Sequence, residues 1–173
     1  MNYLMKRLFL FFLMPFALTA QESDFADDVL DYLEFNGTLK HYERDYDEFV
    51  TTLEDLVPRN EQNAIRWDQI VANKPIAINE LKIGLIALFQ DNFTHKEILL
   101  MAAFYKSETG RILINDQANM TKIHTEILSK FYNSELGLKM MRKQEYLAQE
   151  MGRLLEEWTR DLYETSLPLL SNG

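Results

Sequence analysis

The chain has 173 residues, a net charge of −9 with His counted as neutral, and no Cys. The negative charge disfavours nucleic acid and anionic membrane surfaces as partners, because phosphate groups would repel it. The absence of Cys excludes disulfides and thiolate metal sites, so the fold has to be stabilised by its hydrophobic core.

The first twenty residues have the pattern of a secretory signal peptide. Lys6 and Arg7 precede an apolar run at residues 8–18, and Ala20 stands at the expected cleavage position. This run is too short for a membrane-spanning helix, which needs about 20 residues. We predict cleavage after Ala20 and export to the periplasm or the cell exterior. Leu18 is larger than the residue preferred at its position, so an uncleaved anchor is the alternative.

From residue 21 onward the sequence is dominated by helical periodicity, and we predict one helical domain over residues 21–173. Removal of Lys6 and Arg7 with the signal would take its net charge from −9 to −11. The domain would have no stable membrane span after the signal is removed. Its size is typical of a single domain with a substantial core.

The first predicted helix carries Phe25, Val29 and Leu33 on one face and ends at Gly37, which suits a left-handed cap. A second, amphipathic helix ends before Pro58. Its apolar positions are Leu39, Tyr42, Tyr46, Phe49, Leu53 and Leu56.

Asn60 is predicted to cap a third helix, which contains Trp67 and Ile70 and is interrupted at Lys74 and Pro75. The apolar run that follows, residues 83–89, predicts a helix over residues 79–92 that is buried on most sides. A buried strand is the competing interpretation of such a short run. No other segment has a strand pattern, and a lone strand would leave its backbone groups unpaired.

A capping box begins the next helix. The Thr94 hydroxyl is expected to accept a hydrogen bond from the Glu97 amide, while the Glu97 carboxylate reaches back to the start of the helix. The stripe that follows is formed by Ile98, Met101, Ala102 and Tyr105.

The phrase FYKSETG at residues 104–110 recurs as FYNSELG at residues 131–137. Ser107 and Ser134 each stand where an apolar helix would otherwise continue, and a Ser there can leave helical geometry and cap a new helix. We therefore interpret each phrase as a corner between two helices. Thr121 is expected to begin the second unit as Thr94 begins the first.

Gly110 and Gly137 follow the two Ser residues at the same distance. Glycine is unfavourable inside a helix by about 1 kcal/mol relative to Ala, so its presence suggests that another group passes too close for a Cβ. Eight residues are thus candidates for structural corners or for a groove. They are Phe104, Tyr105, Ser107, Gly110, Phe131, Tyr132, Ser134 and Gly137.

The stretch FTHKEILLMAAFYKSETGRIL, residues 93–113, resembles the marker of a bacterial family of exported helical proteins, domain of unknown function 2059. The family pattern is roughly F-T-x-x-E, an apolar helix, and F-Y-x-[ST]-x-x-G. The matching positions are Phe93, Thr94, Glu97, Phe104, Tyr105, Ser107 and Gly110. Family members often have Pro after the Ser or Thr; this chain has Glu108 and Glu135 there, which specifies the corners less rigidly. The resemblance covers about residues 79–164 and implies an all-helical exported protein, without implying any catalytic residue.

The last long segment, residues 138–164, is predicted to be a helix that docks onto its own domain, with a dimer seam as the alternative. Its apolar seam is formed by Met140, Leu147, Met151, Leu154, Trp158 and Leu162. Residues 166–173 are expected to form a loose tail. The fold prediction is thus all-α, a compact bundle of seven or eight helices with two corners.

Side chains that could carry chemistry are scattered. His41, His95 and His124 are too far apart in sequence to form a helical metal pair. Neither Ser107 nor Ser134 has a base at a repeated position beside it, and helix capping explains both. We therefore assign no catalytic, cofactor-binding or metal-ligating residue.

These observations favour a non-catalytic binding or interaction module of the bacterial cell envelope, whose partner is an unidentified protein or an apolar small molecule. One alternative is a carrier of an apolar ligand, with a cavity bordered by the two Phe-Tyr pairs of the repeated phrase. The other is a hydrolase that uses carboxylates with or without a divalent metal. A hydrolase would bring two or more carboxylates together with His95 or His124 in one cleft.

Overall fold

The structure is a computed structural model that describes the backbone of residues 15–171 and the side chains of residues 24–171. Residues 15–171 form eight α-helices, one short 3-10 helix at Gln117–Asn119 and no β-strand, which confirms the predicted all-α bundle. The helices are α1 Pro15–Phe35, α2 Thr38–Leu56, α3 Ala64–Ala72, α4 Lys74–Asn92, α5 His95–Lys106, α6 Glu108–Asn115, α7 Lys122–Tyr132 and α8 Glu135–Ser171. None of the helices described here combines the length and the apolar character that crossing a membrane requires.

Most of the predicted signal peptide, residues 1–14, lies outside the described residues. Residues 15–20 form the beginning of α1, which continues through the predicted cleavage point after Ala20. Cleavage there therefore stays a prediction. At its other end α1 stops where expected, because Gly37 has φ +83° and ends the helix in the left-handed conformation.

The core lies between α1, α4 and α5 on one side and α2, α3 and α8 on the other. α1 packs most extensively against α5 and also contacts α2 and α4. The fully buried side chains with the largest volumes are Trp67, Tyr46, Leu33, Leu53, Leu85, Ile98, Met101 and Val29. All but Leu85 are apolar positions of the predicted helical stripes, so periodicity identified those core faces correctly. Leu56, also predicted on the α2 stripe, is 60% exposed.

Two predictions about α3 and α4 were wrong. Asn60 does not cap α3: its Oδ1 accepts hydrogen bonds from the amides of Gln62 and Asn63 in the preceding turn. α4 begins at Lys74 rather than near residue 79, because Pro75 lies in its first turn, where no backbone N–H is needed.

The expectation that α4 is buried on most sides holds for only one face. Leu81, Leu85, Leu88 and Phe89 are buried, but Ile83 is 63% exposed. The contacts of α4 with α1, α2, α3 and α8 cover one side of the helix and leave its outer side in solvent. Composition alone could not reveal this, because an unbroken apolar run has no periodicity to mark a solvent face.

The predicted loose tail was also wrong for residues 166–171. α8 continues to Ser171, and both Ser166 and Leu170 are buried. Pro168 lies inside this last part of the helix, where it removes one backbone hydrogen bond. The seam of α8 faces the core of its own chain, as predicted.

Candidate functional site

The first repeated phrase forms a corner between α5 and α6. α5 ends at Lys106, and Ser107 caps α6 by accepting a hydrogen bond from the Gly110 amide at 3.2 Å. The Ser107 hydroxyl donates to the Phe104 carbonyl at 2.6 Å. A Cβ on Gly110 would lie 2.3 Å from that same carbonyl oxygen, which explains why the position has no side chain.

The second phrase forms a corner between α7 and α8 with the same geometry. Ser134 accepts from the Gly137 amide at 3.1 Å and donates to the Phe131 carbonyl at 2.6 Å. A Cβ on Gly137 would lie 2.3 Å from the Phe131 carbonyl oxygen. Both predicted helix breaks are therefore present, and each is stabilised by one Ser and one Gly.

The two corners contact each other through the residues that precede each Ser. The rings of Phe104 and Phe131 stack at 3.8 Å with an angle of 6° between their planes. The hydroxyl oxygens of Tyr105 and Tyr132 are 3.4 Å apart. Burial is the main reason that the pKa of Tyr105 lies above its ordinary value, and the hydrogen bond with Tyr132 adds to it. The stacked rings of Phe104 and Phe131 thus fill the space between the corners.

The family marker at the start of α5 is held in place by α8. Thr94 and Glu97 form the predicted capping box, and the Glu97 carboxylate also accepts a hydrogen bond from Lys139 at 2.6 Å. The ammonium group of Lys139 lies 5.2 Å from the centre of the Phe93 ring. Burial raises the pKa of Glu97, but the hydrogen bonds from Lys139 and Thr94 outweigh this effect and lower the pKa overall.

A cleft of about 330 Å³ lies between the α4–α5 segment around Phe93, the end of α1 and the first half of α8. We call it the apolar cleft. It is lined by Tyr32, Asn36, Thr38, Phe89, Phe93, Met101, Tyr132, Met140, Met141, Gln144, Leu147, Ala148 and Met151. Its floor is buried, and its outer edge on α8 is exposed at Met141, Gln144 and Ala148. A small apolar molecule could therefore enter from the α8 side.

The polar groups of the apolar cleft are concentrated near the end of α1. The Asn36 carboxamide oxygen accepts from the Thr38 amide at 2.9 Å. Burial raises the pKa of Tyr32 to about 12, against a smaller opposing effect of its hydrogen bond with Asn36. Tyr32 therefore presents a neutral hydroxyl at physiological pH.

Of the four aromatic residues expected to border a groove, Tyr132 lines the apolar cleft, whereas Phe104, Tyr105 and Phe131 do not. Sequence reasoning did not anticipate the contributions of Asn36, Thr38 and Gln144. Met140, Leu147 and Met151 were recognised as an apolar seam, but spacing along a helix does not show whether the facing surface leaves a space.

A second, larger cleft of about 510 Å³ lies where α3, α4 and the C-terminal half of α8 meet. Three carboxylates line it: Glu80, Glu157 and Asp161. Glu157 is paired with Arg153 at 2.8 Å, and Asp161 lies 3.7 Å from the Arg160 guanidinium. Two of the three carboxylates are thus already compensated by Arg side chains.

The His residues lie away from both clefts. His95 contacts the Asp28 carboxylate at 2.5 Å and stacks on the Phe25 ring. His124 completes a capping box at the start of α7, where its Nδ1 accepts from the Thr121 amide at 3.2 Å. Among the side chains that the structure describes, no group of three or more His, Cys, Asp or Glu is arranged to hold a metal ion.

A family model described as "Uncharacterized protein conserved in bacteria (DUF2059)" matches residues 79–123. The resemblance predicted from the marker is thereby confirmed over this segment, which runs from α4 into the first turn of α7. The segment contains the first corner and three residues of the cleft floor, Phe89, Phe93 and Met101. No curated protein and no solved structure matches the chain.

Proposed function

We propose that this protein is a non-catalytic binding protein of the bacterial cell envelope that holds a small apolar ligand in the apolar cleft. The observation that carries the proposal is the cleft itself, whose buried floor of Phe89, Phe93 and Met101 faces half-buried Met and Leu side chains of α8. Concave, mostly apolar sites with a few polar groups are typical of small-molecule binding. The predicted signal peptide supports the location.

The size of the apolar cleft limits its ligand. A cavity of about 150 Å³ lined by apolar side chains binds benzene. A space of about 330 Å³ therefore suits a ligand of roughly a dozen heavy atoms. Methionine side chains are flexible and polarisable, so Met140, Met141 and Met151 can adapt to ligands of different shapes.

A hydrolase is less well supported. The residues that line the larger cleft include three carboxylates but neither His95 nor His124. The arrangement that would favour this alternative is therefore not found among the described residues. A contact with the Asp28 carboxylate explains the position of His95, and helix capping explains that of His124.

The proposal is tested by native mass spectrometry of the protein purified from its exported fraction, before and after denaturation. We expect additional mass that is lost on denaturation. Ala148→Phe should reduce its amount at least tenfold, because the ring would occupy the exposed edge of the cleft. Ala87→Phe, at an exposed position on α4 outside the cleft, is the matched control. Equal ligand loss in both variants, or a bare mass in the unmodified protein, would contradict the proposal.

A second candidate function, binding of a protein partner, is favoured by α7. None of its residues is fully buried, and Ile123 and Ile127 on its outer face are 68% and 41% exposed. An apolar helix face of this kind can serve as a docking surface. Cross-linking in the exported fraction should then capture a partner that is lost in Ile123→Glu. Retention of the same cross-links in this variant would exclude this surface.

A further inference from the structure

The lining of the apolar cleft also defines the chemical class of its ligand. Building on the ligand-binding function proposed above, we infer that the ligand is an uncharged amphiphile: an apolar body of roughly a dozen heavy atoms with one hydrogen-bonding group such as a hydroxyl, carbonyl or amide. The inference rests on the lining of the cleft, where Met and aromatic side chains lie next to neutral polar side chains.

None of the residues that line the apolar cleft is Asp, Glu, Lys, Arg or His. A charged group held against the buried floor of the cleft would lose its hydration without gaining an ionic partner, and this loss is unfavourable. Two cations of α8, Lys139 and Lys143, already have hydrogen-bond partners outside the lining. Lys139 binds the Glu97 carboxylate at 2.6 Å, and Lys143 donates to Asn92 at 2.9 Å.

The neutral polar groups give the ligand an orientation. Tyr32 lies near the end of α1, and Asn36 and Thr38 follow it at the turn into α2. The Tyr132 hydroxyl lies 3.4 Å from that of Tyr105, whose ring contacts the Tyr32 ring. Gln144 stands apart from this group on the exposed edge of α8. A single hydroxyl or carbonyl of the ligand can form a hydrogen bond with Tyr32, Asn36 or Thr38. Its apolar body would then lie against the Met and Phe side chains.

Three probes with the same alkyl chain test the inference: 1-decanol, decanoate and decylammonium. Their dissociation constants are measured at neutral pH by calorimetry, below the concentrations at which the probes aggregate. Binding that persists in Ala148→Phe is subtracted as nonspecific, because the negative protein attracts cations at many sites. We expect 1-decanol to bind at least about tenfold more tightly than either ion, because burying an unpaired charge is strongly unfavourable.

The outcomes separate the inference from the function on which it rests. If either ion binds as tightly as 1-decanol or more tightly, the inference is overturned while the ligand-binding function stands. If none of the three binds specifically, both are overturned.

A variant that adds charge to the lining provides a second test. Gln144→Glu places a carboxylate on the edge of the cleft, whereas Gln149→Glu adds the same charge to α8 outside the lining. Decylammonium should bind about tenfold more tightly to Gln144→Glu than to Gln149→Glu. Equal binding by the two variants would mean that the charge of the lining does not select the ligand, and the inference would fail.

Discussion

At the residue scale, the two corners depend on glycine for a steric reason. The backbone of each preceding helix passes so close to Gly110 and Gly137 that a Cβ would collide with a carbonyl oxygen and with a Cα atom. Both the carbonyl oxygen and the Cα atom belong to a helix backbone, so neither can move without displacing that helix. By contrast, a Cβ on Gly152 in α8 would meet no atom within 4 Å.

Replacement of these glycines by Ala should therefore change stability in opposite directions. Gly110→Ala and Gly137→Ala should each lower the free energy of unfolding by at least about 2 kcal/mol, as expected for overpacking against rigid atoms. Gly152→Ala should raise it by up to about 1 kcal/mol, because Ala is the better helix former. Urea unfolding followed by circular dichroism measures all three. If Gly110→Ala had the same free energy of unfolding as the unmodified protein, this result would contradict the close approach seen at the first corner.

The ion pair between Glu97 and Lys139 should make stability depend on pH. Glu97→Gln preserves the capping box but removes the charge, so we expect a loss of about 1 kcal/mol at neutral pH. The pKa of Glu97 is lowered in the folded state from its ordinary value of 4.5. Its stabilisation is therefore complete above that ordinary value and is lost as the pH falls through the folded-state pKa.

The measurement is urea unfolding of both proteins at neutral and at acidic pH. The difference in stability between them should shrink on acidification. Glu126→Gln, which changes an exposed carboxylate 4.0 Å from Lys122, is the control and should have little effect. A difference for Glu97→Gln that stays constant over this pH range would show that the ion pair with Lys139 is not responsible.

At the scale of helices, α8 is the element that sequence reasoning described least well. Its seam was identified from the spacing of apolar residues, but residues 166–173 were predicted to form a loose tail. The structure extends the helix to Ser171, and Leu170 is buried against the core. Propensity was overridden by tertiary packing, which is the usual source of such errors.

Neighbouring leucines at this end of α8 test the assignment. Leu170 is 4% exposed and Leu169 is 38% exposed. Leu170→Ala should lower the free energy of unfolding by about 2 kcal/mol or more, whereas Leu169→Ala should cost less than about 1 kcal/mol because less of its surface is buried. Thermal or urea unfolding of the two variants gives the comparison. Equally small losses of stability in both variants would show that residues 166–171 do not pack against the core.

At the scale of the whole molecule, the apolar cleft is formed by segments that are far apart in sequence. The segment 79–123, which matches the bacterial family, supplies Phe89, Phe93 and Met101 to the floor. Tyr32 near the end of α1 and Asn36 and Thr38 at the turn into α2 supply neutral polar groups, and α8 supplies the flexible wall. Phe89, Met101 and the α8 seam residues were recognisable from the sequence as apolar core, whereas Gln144 was not anticipated. Their arrangement around an open space follows from how α8 crosses the other helices.

The sequence by itself determined the all-α class, the faces of most helices, the capping box at Thr94 and Glu97, and the two helix breaks at Ser107 and Ser134. These features depend on contacts between residues a few positions apart, so their physical causes can be read locally. Tertiary structure alone decided which side of α4 is exposed, where α8 ends, that the Phe104 and Phe131 rings stack, and where a cleft remains. These features depend on packing between distant segments, and periodicity along one helix contains no information about the surface that will face it.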